Sequence, residues 1–137
     1  MTKSLIYFLR PVGMVGPIKI GISADPVNRM RTFMTWSPFP LEVITTTAGD
    51  NKLERIIHNC FADAHSHCEW FHPVPRLLKA IEDIKAGMPV AEAIDLNDQR
   101  GNVLSRAQMM TRVANGTVYG AKANSRYITP TSQAGAS

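Results

Sequence analysis

Cysteine is scarce in this chain: Cys60 and Cys68 are the only two among 137 residues. A domain of this size cannot be built on so few, which excludes a disulfide framework and favours a reducing, intracellular, cytoplasmic setting. Long hydrophobic runs are also missing. The amino terminus offers five apolar residues between Lys3 and Arg10, and no later run approaches the roughly 20 needed to cross a bilayer. Neither secretion nor membrane insertion is expected. Acidic residues are absent after Asp98, although residues 1–98 carry ten basic and eleven acidic side chains. The net charge of +4 therefore arises from Arg100, Arg106, Arg112, Lys122 and Arg126. A basic segment without acids suits phosphate backbones; a solvated tail kept for solubility has the same composition. No internal repeat is present.

An apolar content of 45% supplies one compact core, burying somewhat under about 70% of the unfolded surface. The first organised stretch is a hairpin over residues 5–21. Leu5, Tyr7 and Leu9 fall on one face of a strand, and Ile6 and Phe8 on the other. Apolar on both faces, this strand belongs in the centre of a sheet. Ile18, Ile20 and Ile22 make one apolar face of the second strand and leave Lys19 and Gly21 on the opposite one. Pro11, Gly13, Gly16 and Pro17 break the chain between them.

Asp25 and Pro26 begin a helix that runs through Met34, with Val27, Met30 and Met34 facing the core and Arg29 and Arg31 on its surface. Two prolines keep residues 35–40 irregular; Trp36 and Phe39 there could stack on bases, but packing as a loop plug is expected. Residues 41–47 read as a third strand. Leu53, Ile56, Ile57, Cys60, Phe61 and Ala64 fall at i, i+3, i+4, i+7, i+8 and i+11 behind Asp50, the pattern of an amphipathic helix, with Glu54, His58 and His65 in one stripe beside its apolar face. A turn around Glu69–Phe71 leads to a helix from Pro75 through Ala86, stopped by Gly87 and Pro89. Residues 89–95 add at most a short helical turn. The polar stretch 97–102 marks the edge of the compact unit, so that residues 1–96 form one α+β domain, a small three-stranded antiparallel sheet flanked by helices. Residues 97–137 are expected to form a basic extension with one helix over 106–114 and, from Ala121 onward, a disordered tail of small and polar residues without periodicity.

In this order the elements resemble the GIY-YIG nuclease superfamily. The first motif appears as Leu5-Ile6-Tyr7 and the second as Lys19-Ile20-Gly21, as in the phage and bacterial branch whose second motif reads Lys-Ile-Gly. Asp25-Pro26-Val27-Asn28-Arg29, Glu54 with His58, and Glu69-Trp70-Phe71 match further features of that branch. The resemblance covers roughly residues 5–85. It implies hydrolysis of DNA phosphodiester bonds with one divalent cation, Mg2+ or Mn2+. Tyr7 is then the general base, Lys19 lowers its pKa and holds water or phosphate, Arg29 binds phosphate oxygens, and Glu54 holds the metal. Leu5 replaces the family's Gly, Lys19 its second Tyr, and Phe33 a frequent His, for which His58 is the candidate stand-in. Arg31, Arg106 and Arg112 are candidate nucleic-acid contacts. One such site cuts two strands either sequentially as a monomer or as a homodimer.

Two alternatives stay open. The chain could bind DNA or regulate without cleaving. The cluster His58, Cys60, His65, His67, Cys68 and His72 could hold a structural Zn2+, though its spacing matches no standard finger and Cys60 falls on a buried helix face.

Overall fold

The computed structural model describes residues 3–103. Strand β1 (Leu5–Pro11) lies at the heart of a five-stranded antiparallel sheet of order β3-β1-β2-β5-β4, with β2 (Ile18–Ser23) and β3 (Leu41–Ala48) on its two sides. Its two-sided apolar pattern requires that place: Ile6, Tyr7, Phe8 and Leu9 are all buried. The expectation of three strands is corrected here. Strands β4 (His65–His67) and β5 (Trp70–Phe71) extend the sheet through the segment read as a turn. Strands of three and two residues carry no readable alternation. They form because the edge of β2 offers unpaired backbone groups, with Ile18 opposite Phe71 and Lys19 opposite Trp70. Cys68, at φ 50°, turns the chain between them.

Helices cover both faces of the sheet. On one, α2 (Asn51–Cys60) and α3 (Pro75–Lys85) enclose the main core, which includes Ile6, Phe8, Ile18, Ile20, Ile57, Phe61, Phe71, Leu77 and Ile81. On the other, α1 (Pro26–Met34) covers a smaller cluster of Tyr7, Leu9 and Leu41. The caps act as the sequence suggests: Asp25 accepts from the Asn28 amide at 3.2 Å, and Asp50 from the Leu53 amide at 2.8 Å. The inward face of α1 differs from expectation. Met30 and Phe33 pack on the small cluster, whereas Val27 and Met34 are exposed. The patch offered by Tyr7 and Leu9 is narrow, so only one pair of side chains a turn apart can reach it. Helix α2 also ends at Cys60, and its last expected turn tightens into a 3-10 turn at Ala62–Ala64.

After α3 a four-residue helix, α4 (Val90–Ala93), leads into a segment that stays on the body beyond residue 96. Asn59 of α2 anchors it. Its Nδ2 donates to Gln99 Oε1 at 3.1 Å, its Oδ1 accepts from the Val103 amide at 3.0 Å, and its carbonyl accepts from the Arg100 amide at 2.8 Å. Val103 is buried in the main core. The helix expected over residues 106–114, with Arg106 and Arg112, and the tail after it lie outside the described residues. No helix among the described residues is long and apolar enough to cross a membrane.

Candidate active site

The hairpin register decides which side chains meet. Tyr7 stands opposite Gly21, and Leu9 opposite Lys19, so Tyr7, Gly21 and Lys19 share the face under α1. Gly21 has a steric function: a Cβ built there would overlap the Tyr7 hydroxyl and the ring carbon that carries it. The ring lies across its neighbour, and only glycine lets it do so.

Burial raises the Tyr7 pKa above its ordinary value, and the charge of Glu69 adds to this. The Arg29 guanidinium, which reaches the Tyr7 hydroxyl from α1, acts in the opposite sense. Arg29 also stacks on Phe33, 5.1 Å from the ring centre. The charge that favours the phenolate therefore comes from Arg29. Lys19, expected in that role, is committed elsewhere: it is only 7% exposed, and its Nζ donates to Glu69 Oε1 at 2.8 Å.

Glu54 comes from the opposite face of the sheet. It can reach the site because β5 is so short. Beyond Trp70–Phe71, the Ile20 amide donates to the Glu69 carbonyl at 3.0 Å, and there the strand ladder stops. The next acceptor on that edge, the Ile20 carbonyl, lies 2.8 Å from His58 Nε2. A carbonyl only accepts, so Nε2 carries the proton. His58 is buried against Phe71, with ring centres 5.1 Å apart, and burial lowers its pKa. Its Nε2 is 4.0 Å from Glu54 Oε2, one helical turn earlier. His58 thus ties α2 to the open edge of β2 and leaves Glu54 facing Lys19, Glu69 and Tyr7.

Burial, with the Glu69 carboxyl alongside, pushes the Glu54 pKa up to about 7. Glu54 Oε2 is buried and has no hydrogen-bond partner among the described residues. A carboxylate oxygen so placed is costly unless a cation or proton compensates it. No group of three or more His, Cys, Asp or Glu side chains converges as a metal site among the described residues. One carboxylate with a second beside it fits a hard cation that keeps most of its shell as water and phosphate. It does not resemble the closed four-ligand set of structural zinc. No three of the six His and Cys residues of the other reading form a group that could hold a metal ion among the described residues. Cys60 Sγ donates to the Asp95 carbonyl at 3.4 Å, and His65 Nε2 lies 2.8 Å from the Cys68 carbonyl.

The structure thus gathers Tyr7, Lys19, Arg29 and Glu54, places His58 just behind them, and adds Glu69. Sequence reasoning gave Glu69 no role, although it lies within Glu69-Trp70-Phe71. Arg31 is exposed in the last turn of α1, about 200° around the helix from Arg29, so the two guanidiniums leave on different sides.

A family model described as the T5orf172 domain matches residues 4–86, well over half of the chain. The chain belongs to the T5orf172 domain family. The T5orf172 domain is phage-associated and related to the GIY-YIG/HNH-like nuclease folds, which carries the resemblance read from the motifs as far as a nuclease-related fold. The matched span holds every residue of the site and all three helices that frame it. Searches of curated proteins and of solved structures found no match to this T5orf172 chain.

Proposed function

We propose that this T5orf172 protein is a metal-dependent DNA endonuclease that hydrolyses phosphodiester bonds. The observation that carries the reading is the buried, unpartnered Oε2 of Glu54, held next to Glu69 on the surface shared by Tyr7 and Arg29.

Glu54 would hold Mg2+ or Mn2+, which when bound supplies positive charge against the phosphate oxygens and the leaving oxygen. Arg29 donates to the non-bridging oxygens and stabilises the more negative transition state. Tyr7 accepts a hydrogen bond from the attacking water and takes its proton as the new P–O bond forms. Its own proton must leave first, and Arg29 is the neighbour that favours the phenolate. Lys19 fixes Glu69 and adds a cation on the phosphate side. His58 is a positioning residue: its bond to the Ile20 carbonyl sets the direction of Glu54. Arg31, Arg106 and Arg112 would hold flanking phosphates.

Plasmid nicking in Mg2+ or Mn2+ tests this. Wild-type protein nicks, chelation stops it, and Glu54→Ala loses at least about a hundredfold in rate. Binding without nicking by wild-type protein in either metal would establish the non-cleaving DNA-binding alternative instead.

A further inference from the structure

Beside the candidate site runs a groove of about 440 Å3, lined by Lys19, Phe33, Trp36, Leu41, Glu69 and Trp70 among others. Its size falls within the roughly 300–1,000 Å3 of small-ligand sites. Lys19 Nζ lies 4.6 Å from the Phe33 ring centre and 5.5 Å from that of Trp70, so the groove pairs aromatic walls with a cation. Trp36, expected as a loop plug, is 86% exposed. A ring of that size left in water forgoes a large burial gain.

The loop that presents Trp36 is firmly built. The Trp36 and Ser37 amides both donate to the Phe33 carbonyl at 3.0 Å. Ser37 Oγ donates to the Phe39 carbonyl at 2.7 Å and accepts from the Phe39 amide at 3.1 Å. Pro38 and Pro40 fix two more backbone angles. The backbone that carries the ring is therefore set before any ligand arrives, and the ordering cost that remains is that of the Trp36 side chain.

We infer that this groove takes one unpaired nucleobase of a DNA strand whose backbone lies across the site; the inference rests on the proposed nuclease reading and names its substrate as DNA with an unstacked base beside the cut. Two features fix the occupant. Lys19 and Glu69 belong to both groove and site, so a ligand in the groove adjoins what is held at Arg29 and Tyr7. Aromatic walls bind π-faces, and in a duplex those faces are covered by neighbouring bases, so only an unpaired or flipped base can enter.

The chain has two tryptophans, and both line this groove, so intrinsic fluorescence is a local reporter. The full chain is titrated in EDTA with a single-stranded deoxyoligonucleotide, with the fully paired duplex of the same length, and with an RNA oligomer of the same sequence. The single strand is expected to quench tryptophan emission, and the duplex to bind with little quenching. Trp36→Ala is expected to weaken single-strand binding about tenfold while Trp36→Phe retains most of it, because the phenyl face still stacks. Since Trp36 contributes almost nothing to the core, both variants should melt like the parent. Wild-type affinity of Trp36→Ala for the single strand, equal quenching by the duplex, or tighter binding of the RNA would each overturn the inference. Because EDTA prevents cleavage, this outcome is separate from the nicking assay. Absence of nicking with quenching intact removes the nuclease reading and leaves the groove as a single-strand binding site without a cut beside it, whereas nicking without Trp36 dependence removes the groove alone.

Discussion

Gly21 and Tyr7 constrain each other across the β1–β2 pair, and the consequence can be measured. In Gly21→Ala the new methyl occupies the space of the Tyr7 hydroxyl, so either the ring or the strand must move. Overpacking of this kind costs about 1–3 kcal/mol. The expected result is a lower melting temperature together with reduced nicking, and an alanine variant with wild-type stability would contradict the packing. Glu54 gives a prediction of a different kind. Its folded-state pKa is raised toward 7, above the unfolded carboxylate value. The folded protein therefore binds the extra proton more tightly; this stability is present below the unfolded pKa and is lost as pH rises from about 4.5 through 7. In EDTA, Glu54→Gln should melt close to wild type at pH 5 and above it at pH 8. Added Mn2+ should raise the wild-type melting temperature at pH 8 and leave the variant unchanged, a readout independent of cleavage. Nicking should itself increase with pH above 7, since the ionised forms of both Glu54 and Tyr7 are disfavoured by burial. A flat profile between pH 6 and 9 would argue against their roles.

Among the elements, β5 has the largest effect for its length. Two residues of strand pair with β2 and then stop, and the opening lets His58 and Glu54 come around from the far face. A longer β5 would close that edge and separate Glu54 from Tyr7. Helix α2 carries a second duty at its carboxyl end, where Asn59 bonds to Gln99 and Val103 through its side chain. Asn59→Ala leaves the buried Val103 amide without its acceptor, at a cost of about 1–3 kcal/mol. Residues 99–103 should then exchange amide hydrogens faster than the rest of the core. Uniform exchange across the two proteins would show that Asn59 is not what holds the segment.

Over the whole molecule, charge and chemistry are separated in sequence. The site lies within the matched family span, whereas the excess of basic residues begins at Arg100. If Arg106, Arg112, Lys122 and Arg126 bind phosphates, a chain ending after residue 103 holds DNA less tightly and with a shallower salt dependence. The slope of log affinity against log salt falls by about 0.7–0.9 for each phosphate that is no longer neutralised. An unchanged slope would assign these residues to the solvated tail. Arg100 is spoken for within the body, paired with Asp98 at 3.0 Å and with Asp63 at 3.1 Å, so it is not among the cations the truncation removes.

Much of this protein was legible in its sequence because the signals are local. The two-sided apolar run of β1, the alternation that separates Ile20 from Lys19, the Asp25 and Asp50 caps and the period of α2 each follow from adjacent residues and backbone geometry. So does the co-location of Tyr7 with Lys19, because a hairpin register carries it. What required the tertiary structure depends on contacts between distant segments. Strands β4 and β5 exist only because β2 has an edge to pair with, and α1 turns Phe33 inward because Tyr7 and Leu9 leave a narrow patch. The Lys19–Glu69 ion pair, 50 residues apart in sequence, moves the charge expected at Tyr7 from Lys19 to Arg29. The sequence alone picked out Tyr7, Lys19, Arg29, Glu54 and His58 as candidates for one site and missed Glu69. Only the packing of sheet against helices decided which of them face one another, because that depends on where a two-residue strand ends.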